Sequence, residues 1–450
     1  MMMPHPSPLV PFDVNHPPDP HLLDACVHCG FCLSTCPSYR VIGKETDSPR
    51  GRIYLMDAIH GGEAGLSPEV VEHFDSCLGC LACVTTCPSG VQYDRLISAT
   101  RPQIERNHRR PVPQQLLRQL IFSIFPYPQR LRWLLRPLGF YQKSGLQSLI
   151  RSLQILPRLA PQLAAMEALL PPIPAQAFQD SWSAIIPAIG KKRYRVGMIL
   201  GCVQRVFNPA VNAATVRVLT ANGCEVVIPP TQGCCGALAH HQGQEEQCQS
   251  LARQMINCFR DIELDAIIIN ASGCGHTLKE YSKILQDDPH YRNQATELGA
   301  MVKDVQEFLA QVGLTAPLTP IHSQPVAVVY QDACHMIHGQ KITVQPRQLL
   351  RYIPGVELRE PMDGALCCGS AGIYNILQPE IANELGQQKV TNLLRTNAQV
   401  IASANIGCYT QITLHLQLQG KQIPVLHPMQ LLDCSIRGIQ LNDYLDSECH

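Results

Sequence analysis

Two copies of one cysteine pattern constrain this chain more than any other feature. Each copy has three cysteines at intervals of three residues and a fourth cysteine that follows four residues later, directly before a proline. The two copies are Cys26, Cys29, Cys32 and Cys36, and then Cys77, Cys80, Cys83 and Cys87. This spacing is typical of [4Fe–4S] clusters, and in proteins with two such clusters the fourth cysteine of each run binds the other cluster.

The pattern therefore predicts two [4Fe–4S] clusters with crossed ligation, and with them an electron-transfer function. The first cluster is assigned to Cys26, Cys29, Cys32 and Cys87. The second is assigned to Cys36, Cys77, Cys80 and Cys83. Structural zinc is the main alternative, but zinc sites use paired C-x2-C units. Two four-cysteine runs that both end in Cys-Pro do not fit that pattern.

The composition limits the remaining choices. With 450 residues, 45% of them hydrophobic and 16% charged, the chain is long enough for two or three folded domains. Its formal net charge of zero gives no general attraction to nucleic acid, so we expect no nucleic-acid partner. The first residues lack the features of a signal peptide, and no apolar run approaches the roughly 18 residues of a spanning helix. We therefore expect reduced or metal-bound thiols in the cytoplasm.

The N-terminal part is predicted to be helical. Residues 1–20 are rich in proline and histidine and should form a flexible arm, and residues 21–101 should form the cluster-binding domain. Between the cysteine runs, segments 53–59 and 70–74 have helical spacing, and Ser67 begins a helix-start signal. These helices and the long insert between the cysteine runs resemble an α-helical ferredoxin. That resemblance implies a helix after each cluster loop.

Residues 102–190 are predicted to be a connector, because prolines repeatedly interrupt its short helical segments. Residues 101–160 contain eleven basic residues and one acidic residue, Glu105. A helix that mixes apolar and basic residues, as segment 116–136 does, could lie on an anionic membrane surface. The alternative is a helical wedge packed between domains with its arginines in solvent.

From residue 191 onwards the sequence repeats, which predicts one domain at 191–320 and another at 321–450. Cysteines recur at a shift of 132–134 residues: Cys202, Cys234, Cys235 and Cys274, and then Cys334, Cys367, Cys368 and Cys408. Strand-like runs alternate with helical patterns, at 196–200, 225–228 and 266–269, and again at 326–330, 356–358 and 400–402. This alternation predicts parallel α/β sheets, and the cysteines follow strand carboxyl ends, where such sheets bind ligands.

The repeated segments resemble the cysteine-rich CCG domains of the heterodisulfide reductase B subunit, in which such residues bind non-cubane [4Fe–4S] clusters. That family closes each motif with a C-x-x-C pair, whereas Thr277 and Gln411 stand where its fifth cysteine would be. Two alternatives therefore stay open. Four thiolates in each half hold a metal centre, or they are packed or loosely paired thiols.

The remaining cysteines and histidines say less about the function. Five cysteines outside both patterns are interpreted as core or surface thiols: Cys224, Cys248, Cys258, Cys434 and Cys449. His335 and His338, near Asp332, are either ligands or proton donors near a redox centre, or ordinary loop histidines. No strand–GxGxxG–helix unit is found in the sequence, so a flavin or nicotinamide would belong to another chain.

The complete architecture, an α-helical ferredoxin domain followed by two repeated α/β CCG domains, resembles the iron–sulfur subunit of glycolate oxidase (glycolate dehydrogenase). The similarity is carried by Cys36-Pro37, by segment 48–53 and by the loop 332–340. The resemblance implies that an FAD-containing partner subunit oxidises glycolate, or D-lactate, and that this chain passes the electrons toward a quinone or other membrane acceptor. It implies no catalytic residue in this chain, and a cytoplasmic location with or without peripheral contact to the inner face of the cell membrane.

Three alternatives remain. The C subunit of anaerobic glycerol-3-phosphate dehydrogenase has the same layout but a different electron donor. A heterodisulfide-reductase-like enzyme would reduce a disulfide in its CCG half, and the absent fifth cysteines argue against it. A structural or regulatory iron–sulfur protein would leave the activity of any flavoprotein unchanged when its clusters are lost.

Overall fold

The computed structural model describes residues 9–153, 161–168, 170, 172–179 and 181–449, and these residues form two compact units. The first unit comprises residues 9–119 with residues 238–245, and the second comprises the described residues of 120–237 and 246–449. The linker beyond residue 119 and both repeats, apart from residues 238–245, thus belong to one unit. Residues 1–8 of the predicted arm, and the Cys449 side chain, lie outside the described part.

The first unit is built from helices, and no strand is described between residues 9 and 119. Its helices are α1 (Pro20–Leu23), α2 (Pro37–Ile42), α3 (Pro49–His60), α4 (Pro68–Asp75), α5 (Ala82–Thr86), α6 (Tyr93–Asn107) and the first turns of α7 (Val112–Ile124), with a 3-10 turn at Glu45–Asp47. Proline starts α1 to α4, because its fixed φ suits the first helical position. Ser48 and Ser67 cap α3 and α4. The helices predicted at 53–59 and 70–74 are confirmed.

An apolar core joins these helices and anchors the cysteine loops. Met56 of α3, Phe74 of α4 and Leu96 of α6 are fully buried in this core. Cys77 and Cys83 are buried in the same core. Each large apolar side chain that is buried stabilises the fold by about 1.5–3 kcal/mol. The second cysteine loop is therefore held on a well-packed base.

The linker consists of helices, of which α8 has one buried face and one exposed face. They are α8 (Pro128–Lys143), α9 (Leu146–Ser152) and α10 (Pro161–Ala168), followed by a 3-10 turn at Ala175–Phe178. Leu131 and Leu135 of α8 pack around Val206 of the first repeat, while Trp133 is 76% exposed. Within the described residues, no helix combines the length and the apolarity needed to cross a bilayer.

The first repeat forms a five-stranded sheet in the order β1-β3-β2-β4-β5. Its strands are β1 (Ile185–Ile186), β2 (Tyr194–Ile199), β3 (Cys224–Val227), β4 (Ala266–Ile269) and β5 (Val302–Asp304). Its helices are α11 (Gln204–Phe207), α12 (Pro209–Ala221), α13 (Ala237–His241), α14 (Glu245–Phe259), α15 (Ser272–Lys279), α16 (Tyr281–Ile284), α17 (Arg292–Met301) and α18 (Val305–Val312). All neighbouring strands run parallel except β1 and β3.

The second repeat forms a four-stranded parallel sheet in the order β7-β6-β8-β9. Its strands are β6 (Val326–Gln331), β7 (Val356–Arg359), β8 (Val400–Ser403) and β9 (Val425–Leu426). A π-helical turn covers His335–Gly339, and the helices are α19 (Val344–Tyr352), α20 (Tyr374–Leu377), α21 (Pro379–Leu394), α22 (Ile406–Leu418), α23 (Pro428–Arg437) and α24 (Leu441–Cys449). The six predicted strands and the parallel sheets are confirmed.

Three short strands were not predicted. β1 lies in the segment assigned to the connector and adds an antiparallel edge to the first sheet. β5 and β9 extend the parallel edges of the two sheets. Each has only two or three residues, too few to produce a period-2 pattern in the sequence.

Candidate iron–sulfur sites

One cavity of the first unit is lined by five of the eight predicted ligands. It has a volume of about 430 Å³, counted to its open mouth, and its lining includes Cys26, Cys29, Cys32, Cys83 and Cys87. Cys29 is exposed, and Cys26, Cys32 and Cys87 are half-buried. The structure thus brings the first cysteine run together with the fourth cysteine of the second run.

A second cavity lies beside it, with a volume of about 300 Å³. Its lining includes Cys36, Cys77, Cys80 and Cys83, all of which are buried. Cys83 lines both cavities, although the sequence assigned it to the second cluster alone. Pro49 and Tyr93 also line both, so the two cavities adjoin.

The two loops share an unusual backbone conformation. His28 and Gly30 in the first loop have φ values of 52° and 84°, and Gly79 and Leu81 in the second have 61° and 65°. These are the second and fourth residues after the first cysteine of each run. Left-handed conformations at non-glycine residues such as His28 and Leu81 cost free energy. Their recurrence at equivalent positions shows that both loops take the same turn, which folds the thiols inward.

Buried polar groups surround the second cavity. The Tyr93 hydroxyl lies 3.6 Å from Cys77 Sγ, and Gly79 N donates to the same sulfur at 3.4 Å. Burial raises the pKa of Cys77, but the guanidinium groups of Arg52 and Arg101 and these hydrogen bonds outweigh burial, so the pKa falls below its usual value. A lowered pKa favours the thiolate, which is the form that binds metal.

Arg52 is the main positive group at this cavity, which it lines, and it is fully buried. Its Nε donates to His73 O at 2.5 Å, and one terminal nitrogen donates to Ser38 Oγ at 3.0 Å and to Ser76 Oγ at 2.7 Å. Ser76 in turn donates to the Asp47 carboxylate at 2.6 Å. This network fixes a cation beside Cys36 and Cys77. No pattern in the sequence marks Arg52 as a buried cation.

These residues fit iron–sulfur clusters. Soft thiolate donors suit iron–sulfur centres, and each of the two cavities is lined by at least four cysteines. Residues Cys26, Cys29, Cys32 and Cys87 would hold one cluster, and Cys36, Cys77, Cys80 and Cys83 would hold the other. A bound [4Fe–4S] cluster supplies one-electron redox chemistry whose potential depends on net charge, on hydrogen bonds to sulfur and on solvent exposure.

The cysteines of the first repeat form a row of sulfur atoms. Cys202 and Cys234 have sulfurs 3.4 Å apart, and Cys235 hydrogen-bonds with both Cys234 and Cys274. These contacts lower the pKa of Cys235 and raise those of Cys234 and Cys274. Tyr281 donates to Cys235 O at 2.8 Å and supports the loop. The structure thus brings together the four cysteines that the repeat predicted.

The second repeat contains an equivalent row. Cys367 hydrogen-bonds with Cys334 and with Cys368, and the sulfurs of Cys368 and Cys408 are 3.2 Å apart. Hydrogen bonds with Cys367 and Cys408, with a contribution from Lys389, lower the pKa of Cys368. Across the described residues of the whole chain, no group of three or more His, Cys, Asp or Glu side chains is arranged to hold a single metal ion.

The two rows meet at the junction of the repeats. The Asn405 amide oxygen accepts from Gly273 N at 3.3 Å, and its nitrogen donates to Cys408 Sγ at 3.6 Å. The rings of His276 and His335 lie 4.8 Å apart between their centroids. Asn405 therefore connects the backbone next to Cys274 with the second row.

The histidines noted in the sequence are fully or partly removed from solvent. His335 is buried in this junction, and burial lowers the pKa of His338. The Asp332 carboxylate is bound by both terminal nitrogens of Arg347, at 2.9 and 2.7 Å. Asp332 thus forms an ion pair with Arg347.

Two of the five unassigned cysteines, Cys224 and Cys434, are buried in the core that extends through both repeats.

Comparisons with known proteins agree with this arrangement. Residues 22–91 match the 4Fe-4S dicluster domain family, and residues 196–279 and 328–413 match the cysteine-rich domain family. Residues 113–170 match the linker region of the glycolate oxidase iron-sulfur subunit. The fold and the cysteine sites therefore define an iron–sulfur protein with one dicluster domain and two cysteine-rich repeats.

Curated relatives define the family more narrowly. The chain is 36% identical over 422 residues to the probable glycolate oxidase iron-sulfur subunit of Bacillus subtilis (strain 168), covering 93% of this chain and 92% of that protein. It is 34% identical over 396 residues to the glycolate oxidase iron-sulfur subunit of Escherichia coli (strain K12), covering 87% and 90%. The chain belongs to the family of glycolate oxidase iron–sulfur subunits, which confirms the resemblance seen in the sequence.

Two further similarities cover less of the chain. Lactate utilization protein A of Shouchella clausii (strain KSM-K16) is 29% identical over 238 residues, which is 53% of this chain and 98% of that protein. The crystal structure of a hypothetical protein from Helicobacter pylori covers 64% of this chain and 56% of its own, with 11% identity and a TM-score of 0.40. That structural likeness is too low to inform function.

Proposed function

We propose that this chain is the electron-transfer subunit of a 2-hydroxy-acid dehydrogenase complex. In this proposal an FAD-containing partner oxidises glycolate or D-lactate, and this chain carries the electrons singly toward a quinone or another respiratory acceptor. The observation that supports it best is the pair of adjoining cysteine-lined cavities, which share Cys83, Pro49 and Tyr93. Adjoining carriers allow an electron to move within one unit without leaving the protein.

We assign the clusters by the crossed pattern. Cys26, Cys29, Cys32 and Cys87 hold the first cluster, and Cys36, Cys77, Cys80 and Cys83 hold the second. The first cluster receives electrons from the partner, because Cys29 is exposed while the cysteines of the second cavity are buried. Val27 and Phe31 beside it are exposed at 68% and 65%. Exposed apolar side chains around a redox centre suit a protein partner.

The helical character of the first unit supports an α-helical ferredoxin fold for this domain. In the proposal, the two cysteine-rich repeats act after the clusters. The convergence of four sulfurs in each repeat supports a redox role there. The proposed electron-transfer role of this chain does not depend on which hydroxy acid the partner oxidises. A glycerol-3-phosphate-oxidising partner would use the same carriers, so the donor is decided by the partner alone.

We further propose a peripheral contact between helix α8 and an anionic membrane surface. Trp133 and Phe140, exposed at 76% and 73%, are seven residues apart on α8 and so share one face with Arg136 between them. Aromatic and basic side chains on one face of a helix are typical of interfacial helices. Such a contact would bring the complex to a membrane-dissolved acceptor.

The function is tested by reconstitution with the flavoprotein partner. The isolated chain should not oxidise glycolate, but together the two should couple glycolate oxidation to reduction of a quinone analogue. Replacing Cys29 or Cys80 by Ala should abolish the coupling while the flavoprotein still reduces an artificial dye. Cys258→Ala, outside every predicted site, is the matched control and should retain coupling. Full coupling in the Cys29 and Cys80 variants would overturn the proposal.

A further inference from the structure

Tyr93 lies between the two cysteine-lined cavities of the first unit. It is the first residue of α6, it is buried, and it lines both cavities. Its hydroxyl lies 3.6 Å from Cys77 Sγ, and within the described residues this sulfur is the only hydrogen-bond partner of the hydroxyl. A thiolate can only accept, so the hydroxyl donates. Tyr93 therefore places a hydrogen-bond donor on one assigned ligand of the second cluster.

Arg101, also on α6, adds a positive charge to the same loop. One of its terminal nitrogens donates to Cys77 O at 2.7 Å, and the other lies 3.3 Å from His241 Nδ1. A Cβ atom at Gly79 would lie 3.0 Å from the second of these nitrogens. The guanidinium therefore packs directly against the loop that carries Cys77 and Cys80.

The sulfurs of the first cavity have no comparable donor. Among the described residues, the four cysteines assigned to the first cluster accept no hydrogen bond from a side chain, and Cys32 accepts from backbone groups alone. Burial raises the pKa of Cys32, whereas the pKa of Cys77 is lowered. The Tyr93 hydroxyl thus distinguishes the two sites.

Arginines lie at both cavities, but they differ in how their charge is balanced. Arg50 lines the first cavity, and the Glu45 carboxylate binds its guanidinium through both oxygens, at 2.5 and 3.2 Å. Arg52 lines the second cavity and has the buried Asp47 carboxylate 3.8 Å away. No ion pair joins Arg101 to a carboxylate of the described residues. Its charge is therefore the one that the protein does not neutralise.

We propose that Tyr93 and Arg101 make the second cluster the more oxidising of the two, so that electrons from the flavoprotein partner pass from the first cluster to the second. In this transfer the first centre loses one electron, the second gains one, and no bond is made or broken. Hydrogen bonds to sulfur and net charge both set the potential of such clusters. This inference rests on the proposed electron-transfer function.

Burial of the second site acts in the opposite direction. An added electron makes a cluster more negative, and water stabilises that charge better at the first cavity, where Cys29 is exposed. The same burial strengthens the two favourable interactions, because hydrogen bonds and charges act more strongly where water is excluded. Both residues act through Cys77 and its loop, so they are positioning residues and not catalytic ones.

The test is an anaerobic potentiometric titration of the full, cluster-loaded chain, followed by electron paramagnetic resonance of each reduced cluster. Cys29→Ser and Cys80→Ser assign the two signals. Tyr93→Phe removes the hydroxyl and keeps the ring. At fixed potential it should raise the oxidised-to-reduced ratio of the second cluster about tenfold, which lowers its potential by about 59 mV. The first cluster should not shift. Tyr54→Phe, at an exposed tyrosine of α3, is the matched control and should shift neither cluster.

Two substitutions of Arg101 separate its charge from its role in holding the loop. Arg101→Gln removes the charge and should lower the potential of the second cluster, whereas Arg101→Lys keeps the charge and should retain most of the parent potential. Equal shifts in the two variants would mean that the guanidinium only holds the loop. This pair also decides the inference if Tyr93→Phe does not retain the second cluster, as judged by iron and sulfide content.

Three results would overturn the inference: a second cluster no more oxidising than the first in the parent chain, an unchanged potential in Tyr93→Phe with its iron content intact, or equal shifts in the two Arg101 variants. Complete coupling to the flavoprotein alongside any of these results would leave the proposed function standing. The predicted potentials without any coupling in the parent chain would instead overturn the proposed function.

Discussion

Replacing Arg52 by Met should destabilise the first unit and its buried cluster site together. Arg52 is fully buried and donates three hydrogen bonds, to His73 O, Ser38 Oγ and Ser76 Oγ. Its removal leaves the Asp47 carboxylate, which is 4% exposed, without a nearby guanidinium. Methionine restores part of the packing but none of the hydrogen bonds.

The expected loss of unfolding free energy in Arg52→Met follows from these contacts. Each hydrogen bond to a charged group contributes about 1.5–3 kcal/mol, and breaking a buried charged pair costs about 3–5 kcal/mol. The contacts share one side chain and are not additive, so we expect a loss of about 3–5 kcal/mol. The Arg52–Asp47 distance of 3.8 Å is long, and Ser76 transmits much of the interaction.

The assay is urea unfolding of the full, cluster-loaded chain, followed by the visible absorbance of the clusters. Arg52→Met should lower the unfolding midpoint strongly. Adding Asp47→Asn removes a buried carboxylate whose remaining partners are His73 and Ser76, and should recover about 1–3 kcal/mol. A loss below about 1 kcal/mol in Arg52→Met, or strictly additive effects in the double variant, would refute the argument that this network supports the second cavity.

Two further predictions concern pH and membranes. Burial lowers the pKa of His427, the cap of α23, from 6.5 to about 3. Because the unfolded chain then binds a proton that the folded chain does not, the free energy of unfolding falls as the pH drops from 6.5 toward 3. Between pH 7.5 and 5.5 this loss should reach about 1.4 kcal/mol and be absent in His427→Asn, as measured by denaturant midpoints; an unchanged slope would contradict it. Trp133→Ser with Arg136→Glu should reduce co-sedimentation with anionic vesicles, and binding should weaken with salt. If the parent chain does not bind the vesicles, α8 is instead a helical wedge packed between domains.

The regular elements of the fold were predictable where sequence patterns were long enough. The helices α3 and α4 are indicated by apolar spacing and by Ser-Pro pairs at their starts. The strands at the centre of each sheet are indicated by continuous apolar runs. Strands β1, β5 and β9 form because a neighbouring strand offers an edge, which local sequence does not reveal. The assignment of residues 238–245 to the first unit likewise depends on long-range packing.

The cysteines were predictable, but the charges around them were only partly so. The spacing within each run identified the eight cysteines of the first unit, and the internal repeat identified the other eight. Lys389 occupies an apolar-face position of α21, a pattern from which its burial could be predicted. Arg52 looks in sequence like any surface arginine of a helix start. Its burial follows from the approach of α4 and the Glu45–Asp47 turn, which only the tertiary fold shows.

The central claim is that two [4Fe–4S] clusters are held by ligands exchanged between the two cysteine runs. The most direct measurement compares Cys36→Ser with Cys87→Ser by iron and sulfide analysis and by spectroscopy of each reduced cluster. The account predicts that Cys36→Ser damages the cluster built by Cys77, Cys80 and Cys83, and that Cys87→Ser damages the one built by Cys26, Cys29 and Cys32. Loss of the cluster in the same run as the substituted cysteine, in either variant, would contradict it.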